Sequence, residues 1–571
     1  MATLETAAPV VSGPPAGPVP PSGSPPGLEV FNAAEWLLTR HARATPDRRA
    51  ITAVDLDGSV RTLSYGELEA EVHRFAAALL ASGVRPEERL ILCLGDSPEL
   101  LTAFLAGLRI GAVPVPVSTM LKPKDIAEMA RDSRARMLVV SAEFAALAPA
   151  VGGLPDLADV VVLAPDALPE VDGPRVRDWD TFVAAGSGEL DRVATPYPTV
   201  PDSPAFWLYT SGTTGTPKGA MHRHGSLRDT AETYARDVLA IGPDDVTFSV
   251  AKFFFAYGLG NTLTFPFSVG ASVVLDRSRP SPAGTLRVLQ DHRPTLFFGG
   301  PTYYAALLAA GLPRDAFAGV RACVSAGEAF PAPLFERFTS TFDVEMLDGI
   351  GSTEMLHIFI SGRPGRTRAG ATGEIVAGYD AKIVDDDGQP VPDGTPGNLY
   401  VRGNSAATGY WCRTETTRRV FEGPWVRTGD TYVRSSDGYY TSLGRTDDII
   451  KAGGIWVSPT EVEQRLRTHP DVLQVVVVSV PDVDGLDKPV ACVVLTPGSA
   501  TTADELVSHC RDGLAAFKRP RHVLVFDELP QTATGKLQRF RVREQPLTLI
   551  DASRSDGMTA PLPPSLPGGP A

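Results

Sequence analysis

The sequence predicts an α/β protein. A large N-terminal domain of parallel, helix-covered sheets carries a β-rich subdomain, and a small α+β C-terminal domain follows. Three observations lead there. From Phe31 onward, apolar strand runs alternate with helical periodicity, the rhythm of βαβ units. Between about Gly373 and Arg445 the text turns to short strands separated by Gly, Asp and Pro turns. Beyond Arg445, helices and strands alternate again over roughly 100 residues, a common domain size.

Taken in order, residues 1–28 are rich in Pro, Gly, Ser and Ala and cannot bury enough apolar surface to order themselves. Residues 547–571 have the same character, so both ends are expected to be disordered tails. Ser64 and Glu67 have capping-box spacing, and Leu68, Val72, Phe75 and Leu79 repeat at helical intervals before Gly83. Leu90–Leu94 is a buried-strand run, and Ser97-Pro98-Glu99 opens another helix. Strands are expected at Met137–Val140, Val160–Leu163, Ser272–Leu275, Thr295–Phe298 and Arg321–Ser325. In the last part, Ser458-Pro459-Thr460-Glu461 begins a helix. Leu473–Val480 and Val490–Leu495 are strands, Ala503–Phe517 a helix, and Val523–Phe526 a strand. The expected division is 29–446 for the large domain and 447–546 for the small one.

With 571 residues the chain has room for two domains, and its net charge of −14 argues against nucleic acid or an anionic membrane as partner. The five cysteines are scattered, without metal spacing, and read as structural thiols of a reducing compartment. The N-terminus lacks a basic region and an apolar run, so no secretory signal is expected, and no stretch is apolar enough to span a bilayer. A cytoplasmic protein is the expectation.

The stretch with most chemistry is Tyr209 to Gly219, Tyr-Thr-Ser-Gly-Thr-Thr-Gly-Thr-Pro-Lys-Gly, placed after the apolar run Phe206-Trp207-Leu208. Glycines let main-chain N–H groups approach a bound group closely. The hydroxyls of Thr210, Ser211, Thr213 and Thr214 add short donors, and Lys218 adds a positive charge. The build suits a polyphosphate. It is not a Walker A loop: counted from Gly212, the second glycine falls on Pro217 and Gly219 takes the Ser/Thr place. Further on, Thr353-Glu354 follows the glycine-rich turn Asp348-Gly349-Ile350-Gly351, and a carboxylate near a nucleotide suits Mg²⁺.

This stretch, and the motifs that follow it in order, resemble the adenylate-forming (AMP-binding) superfamily of acyl- and aryl-CoA synthetases, luciferases and adenylation domains. The resemblance covers roughly Phe31 to Pro546. It implies that Thr210, Ser211, Gly212, Thr213, Thr214, Gly215 and Lys218 hold the phosphates of ATP. It implies that Thr353 contacts phosphate and Glu354 binds Mg²⁺. Gly327, Glu328, Asp348, Gly349 and Ile350 then lie beside the nucleotide. Thr428-Gly429-Asp430 resembles the ribose-binding motif, with Arg445 reaching the ribose or phosphates. Gly444-Arg445-Thr446-Asp447-Asp448 resembles the hinge on which the family rotates a mobile small domain between half-reactions, Asp447 being the pivot. Gly453 and Gly454 would border the thiol tunnel. Pro530 to Lys536 resembles the catalytic-lysine loop, in which Lys536 bridges the carboxylate and the α-phosphate. Many relatives are switched off by acetylation there, which makes Lys536 a candidate for a lysine acetyltransferase. The basic run Lys518-Arg519-Pro520-Arg521 is either a site for the 3′-phosphate of CoA or a solvated turn.

Within the family the stretches Lys252–Asn261, Ser325–Pro331 and Gly349–Ser361 most resemble benzoate–CoA ligases. Amino-acid-activating relatives hold the α-ammonium with an Asp where this chain has Ala256, so an α-amino acid would leave its charge unpaired. The resemblance implies an acyl pocket of Ala256, Tyr257, Ala326, Gly351, His357 and Ile358, with Phe255 as gate of the thiol tunnel. His357 either meets a ring substituent or only packs. The expected reaction is that of an aryl–CoA ligase using ATP, Mg²⁺ and coenzyme A on an aromatic carboxylic acid. The alternatives are an adenylation enzyme that loads a carrier protein and a non-catalytic acid-binding relative. Pyrophosphate release with and without CoA separates them.

Overall fold

The computed structural model describes residues 29–211, 217–446, 450–452, 455–481, 487–511, 513–514, 518–531, 537, 539 and 541–543. Both expected tails lie outside these residues. A helix forms where the capping box places it, at Tyr65–Ala81. Ser64 Oγ accepts from the Glu67 N–H at 3.2 Å, and the Ser64 N–H donates to Glu67 Oε2 at 2.8 Å. Leu68, Val72, Phe75 and Leu79 are all buried along its inner face, contributing about 1.5–3 kcal/mol each. Gly83, at φ +84°, turns the chain away in the left-handed region.

Two sheets build the large domain. One has five strands in the spatial order Val113–Pro116, Arg89–Cys93, Met137–Ser141, Asp159–Leu163, Arg175–Asp178, every pair parallel. The other has nine strands. Its centre runs parallel in the order Met346–Gly351, Ala322–Ala326, Leu296–Gly299, Val246–Ser249, Ser272–Asp276, Arg49–Val54. Its two margins, Val60–Ser64 on one side and Ile358–Ser361 with Glu374–Ile375 on the other, are antiparallel. The helix Pro98–Arg109 is buried almost all round. Its buried Arg109 donates to the carbonyls of Val193 and Ala194 and to Thr39 Oγ1 at 2.6–3.0 Å, which satisfies the charge locally.

The expected β-rich subdomain forms from Tyr379 to Arg445, the start of the Gly373–Arg445 stretch belonging instead to the nine-stranded sheet. Tyr379–Val384, Gly397–Gly403, Trp425–Arg434, Phe421–Glu422 and Tyr440–Arg445 pair antiparallel. The small domain carries Val472–Pro481 antiparallel to Asp487–Leu495, which runs parallel to His522–Val525. Helices Pro459–Arg467 and Ala503–Arg511 cover this sheet. The second helix is shorter than the Ala503–Phe517 expected. Gly513 follows it, and a helix-weakening glycine there closes a turn back onto the Cys510 carbonyl.

One reading is refined and one corrected. The buried Phe206-Trp207-Leu208 run forms a strand, but outside both parallel sheets. Pro204–Ser211 is one arm of an antiparallel hairpin with Pro217–Arg223. A short apolar run has the same pattern in either setting. Of the cysteines, Cys93, Cys323, Cys492 and Cys510 are free and buried, but Cys412 is exposed on a turn at φ +48°. Among the described residues no helix is long and apolar enough to cross a membrane.

Candidate active site

The hairpin pairs Thr210 with Lys218 and Ser211 with Pro217, so its two arms flank the glycine-rich segment. Gly212, Thr213, Thr214 and Gly215 lie outside the described residues. A strap at 408–411 runs along the second arm. Thr408 N–H donates to the Met221 carbonyl at 2.9 Å, Met221 N–H to Gly409 at 3.0 Å, and Trp411 N–H to Gly219 at 3.0 Å. Trp411 packs on Trp207 with ring centroids 4.9 Å apart. Asp132 gathers the outer side, accepting from Tyr209 Oη at 2.7 Å and from Arg413 at 2.8 Å, while its carbonyl accepts from Trp411 Nε1 at 2.9 Å. Lys218, at the base of the turn, is thereby placed with its Nζ 5.4 Å from the centroid of the Tyr410 ring.

The Met346–Gly351 strand delivers the Thr353-Glu354 turn to the same hairpin. His222 Nε2 donates to the Thr353 carbonyl at 2.8 Å, the only role open to it opposite a carbonyl oxygen. Its ring stacks on Phe206 at 5.1 Å, and burial pushes its pKa down to about 4. The Glu354 carbonyl accepts from Ala407 N–H at 2.7 Å. The Glu354 carboxylate accepts from Tyr410 Oη at 2.6 Å through Oε1. Neither His222 nor Tyr410 was singled out by sequence. Tyr410 stands 56 positions from Glu354, and the one available signal was its place in a Gly-Tyr-Trp group after a turn.

Asp348, Gly349 and Ile350 lie in the Met346–Gly351 strand, beside Ala326 at the end of its parallel neighbour. Gly327 follows Ala326, and the Glu328 carboxylate accepts from Thr302 Oγ1 at 2.9 Å. Burial raises the Asp348 carboxyl well above the ordinary carboxylate range. The Gly349 N–H and the hydroxyl of Ser325, its register partner on the neighbouring strand, oppose that shift. Asp430 and Arg445 are paired across adjacent strands of the β-rich subdomain, with Nη1 to Oδ1 at 3.0 Å.

The pocket residues come from three elements. Ala256 and Tyr257 open a helical segment that follows the Val246–Ser249 strand. Tyr257 Oη donates to the Val324 carbonyl at 2.9 Å, which fixes its ring 5.5 Å from that of His357. His357 is buried against Phe265 at 4.4 Å and Tyr234 at 5.4 Å, and its Nε2 meets Asn261 Oδ1 at 3.2 Å. Burial pushes its pKa down to about 3, so the ring is neutral, and Nδ1 has no partner among the described residues. Gly351 pairs with Ile358, and a Cβ on Gly351 would stand 2.5 Å from the His357 carbonyl oxygen. Tyr257, Ala326 and Ile358 share one apolar cluster. Phe255 stands apart from it, 36% exposed and packed on Phe254.

Asp447, Gly453, Gly454 and Lys536 lie outside the described residues. The basic run is partly engaged: Lys518 Nζ donates to both oxygens of Glu461 at 2.7 Å, and Arg519 donates to the Leu514 and Arg511 carbonyls.

A hairpin flanking the Gly/Ser/Thr segment, an acidic turn tied to its second arm through His222 and two helix-covered parallel sheets define an adenylate-forming fold, and comparison with known proteins agrees. Residues 38–411 match the AMP-binding enzyme family and 461–536 the AMP-binding enzyme C-terminal domain. The chain belongs to the AMP-binding enzyme family. It is 42% identical to the benzoate–CoA ligase of Thauera aromatica over 532 residues, 91% of this chain and 98% of that one. It is 41% identical to the 4-hydroxybenzoate–CoA/benzoate–CoA ligase of Rhodopseudomonas palustris, over 89% of this chain and 93% of that one. Among solved structures, a benzoate CoA ligase from Burkholderia xenovorans LB400 superposes with a TM-score of 0.80 at 42% identity, covering 90% of this chain and all of that one. The anthranilate CoA ligase AuaEII, solved with anthranoyl-AMP, gives 0.81 at 37% identity, covering 90% and 97%.

Proposed function

We propose that the chain is an ATP-dependent aryl–CoA ligase of benzoate type. The observation that carries this is the pocket wall. Ala256 stands where a carboxylate would be needed for an amino acid, and Tyr257 and His357 add neutral rings 5.5 Å apart, with Ile358 in the same apolar cluster as Tyr257. The similarity to benzoate– and hydroxybenzoate–CoA ligases over nine-tenths of the chain supports the same substrate class.

In the first half-reaction a carboxylate oxygen of the acid attacks the α-phosphorus of ATP, and pyrophosphate leaves. Lys218 and the hairpin turn bind the polyphosphate, and Lys536 places its ammonium between the reacting oxygens. Asp348 and the strand Gly349–Gly351 hold the base, and Asp430 with Arg445 holds the ribose. In the second half-reaction the CoA sulfur attacks the aryl carbonyl carbon, and AMP leaves with the electron pair of the broken bond. Phe255 and the Gly453-Gly454 segment border the thiol path.

Among the described residues no group of three or more His, Cys, Asp or Glu side chains forms a metal cage. A single carboxylate, Glu354, fits Mg²⁺, which fills its remaining positions with phosphate oxygens and water. When bound, Mg²⁺ neutralises phosphate charge.

We place the domain boundary at 446/447, with Asp447 as the pivot between the half-reactions. A cytoplasmic setting is our reading of the buried, unbridged thiols. A carrier-protein arm as acceptor and acetylation of Lys536 are finer proposals, read out by CoA-independent turnover and by loss of adenylation on acetylation.

The test is pyrophosphate release from ATP and Mg²⁺ over benzoate, its hydroxy, amino and halo forms, cyclohexanecarboxylate, cinnamate and a medium-chain fatty acid, each with and without CoA. Strong CoA-dependent turnover of benzoates is expected. Turnover of only the alicyclic or fatty acids would overturn the aryl reading.

A further inference from the structure

Tyr410 is the residue through which the strap touches both charged groups of the phosphate site. Its hydroxyl donates to Glu354 Oε1 at 2.6 Å, and its ring face lies 5.4 Å from Lys218 Nζ. Among the described residues Glu354 Oε2 has no hydrogen-bond partner. Tyr410 is itself held firmly. Its N–H donates to Thr417 Oγ1 at 3.0 Å, its backbone bridges to Ala220, and its ring packs edge-on against Phe421 at 5.6 Å. It is 6% exposed.

We propose that Tyr410 is a positioning residue for nucleotide activation: its hydroxyl occupies one oxygen of Glu354 and turns the other toward the metal, while its ring face steers the Lys218 ammonium to the phosphates. A carboxylate with one oxygen already committed binds a cation through the second, in one orientation. An outer hydrogen-bond partner of this kind fixes a ligand's direction, and its loss costs on the order of 10-fold or more in metal affinity. The ring contact restrains a long, flexible lysine by attraction to the aromatic face. The two effects use different parts of one side chain, so two substitutions separate them.

This inference rests on the reading of Glu354 as the metal carboxylate, and the experiment separates the two. Wild type, Tyr410→Phe and Tyr410→Leu are compared by Mn²⁺ binding, followed by electron paramagnetic resonance in the presence of α,β-methylene-ATP. Thermal melting monitors folding. In Tyr410→Phe, Mn²⁺ affinity should fall about 10-fold, and the Mg²⁺ needed for half-maximal pyrophosphate release should rise by the same factor. Thioester formation from supplied benzoyl-AMP and CoA should stay within about twofold, because it uses no polyphosphate. Tyr410→Leu should also weaken metal-free binding of the analogue, through Lys218. Mn²⁺ affinity unchanged in Tyr410→Phe, or equal losses in both half-reactions, would overturn the proposal. A wild type that binds no Mn²⁺ with nucleotide would instead overturn the assignment of Glu354.

Discussion

Arg445 Nη1 donates to Asp430 Oδ1 at 3.0 Å and to the Thr428 carbonyl at the same distance. The two side chains face each other because Asp430 and Arg445 are register partners on adjacent strands. Burial raises the Asp430 carboxyl, and the guanidinium opposes that shift. Arg445 thus favours the ionised form of this partly buried carboxylate, which we read as the ribose acceptor. Asp430→Ala should raise the KM for ATP by about 10-fold or more, the scale of a hydrogen bond to a charged group. In Arg445→Gln the KM for ATP should rise more at pH 6 than at pH 8, because an unopposed Asp430 takes up a proton. A pH-independent KM in that variant would contradict this role.

Asp348 predicts a stability change of definite sign. Its folded carboxyl is raised well above the ordinary value of 3.8, so between those values the folded state binds the extra proton. Stability contributed at this site therefore falls as pH rises through that window. Asp348→Asn should melt higher than wild type near pH 8, with the difference vanishing toward pH 4. Equal melting curves across that range would show that the carboxyl is not desolvated.

Buried histidines act in the opposite direction. His224 accepts from Ala33 N–H at 3.0 Å, and burial pushes its pKa down to about 3. The unfolded chain protonates this group near 6.5, so its contribution is complete above that value and is lost as pH falls below it. The slope is at most about 1.4 kcal/mol per pH unit. His224→Asn, which retains an acceptor, should show a shallower loss of stability between pH 7 and pH 5. Denaturant titrations at both values measure it.

Two glycines beside His357 should fail differently. A Cβ on Gly351 meets backbone, 2.5 Å from the His357 oxygen, and backbone cannot step aside. Gly351→Ala should therefore cost folding, by about 1–3 kcal/mol as overpacking does. A Cβ on Gly260 meets the imidazole Cδ2 at 2.3 Å. Gly260→Ala should push that ring toward the pocket and cut turnover of the larger substituted benzoates more than that of benzoate. The ratio of kcat/KM values across the acid panel reads this out.

Lys536→Ala should reduce adenylate formation by about 10²-fold, the scale of losing one transition-state charge contact. Thioester formation from supplied aryl-AMP should fall much less. Equal losses would remove the case for a small domain that turns between half-reactions.

The residues near the candidate site divide by how far their partners lie along the chain. The helix starts at Ser64 and Ser97 and the parallel strands were legible, since capping and apolar runs are properties of a few neighbouring residues. The Lys218 and Glu354 motifs were legible as ordered words. That Phe206 and Trp207 sit in a hairpin was not, because a short apolar run reads alike in a parallel sheet and in an antiparallel pair. The partners of His357 escaped for another reason. Asn261 and Phe265 lie one helical turn apart, but nothing local says that a strand 96 positions later brings an imidazole between them.

The sequence by itself determined the α/β class, the order of the motifs and the kind of chemistry they serve, because period, capping and glycine placement act over a few residues. Only the tertiary structure decided that Tyr410 binds Glu354, that His222 holds Thr353 and that Asp430 meets Arg445. Those contacts join separate segments of the chain, and how such segments face each other is set by packing the whole domain, not by any local pattern.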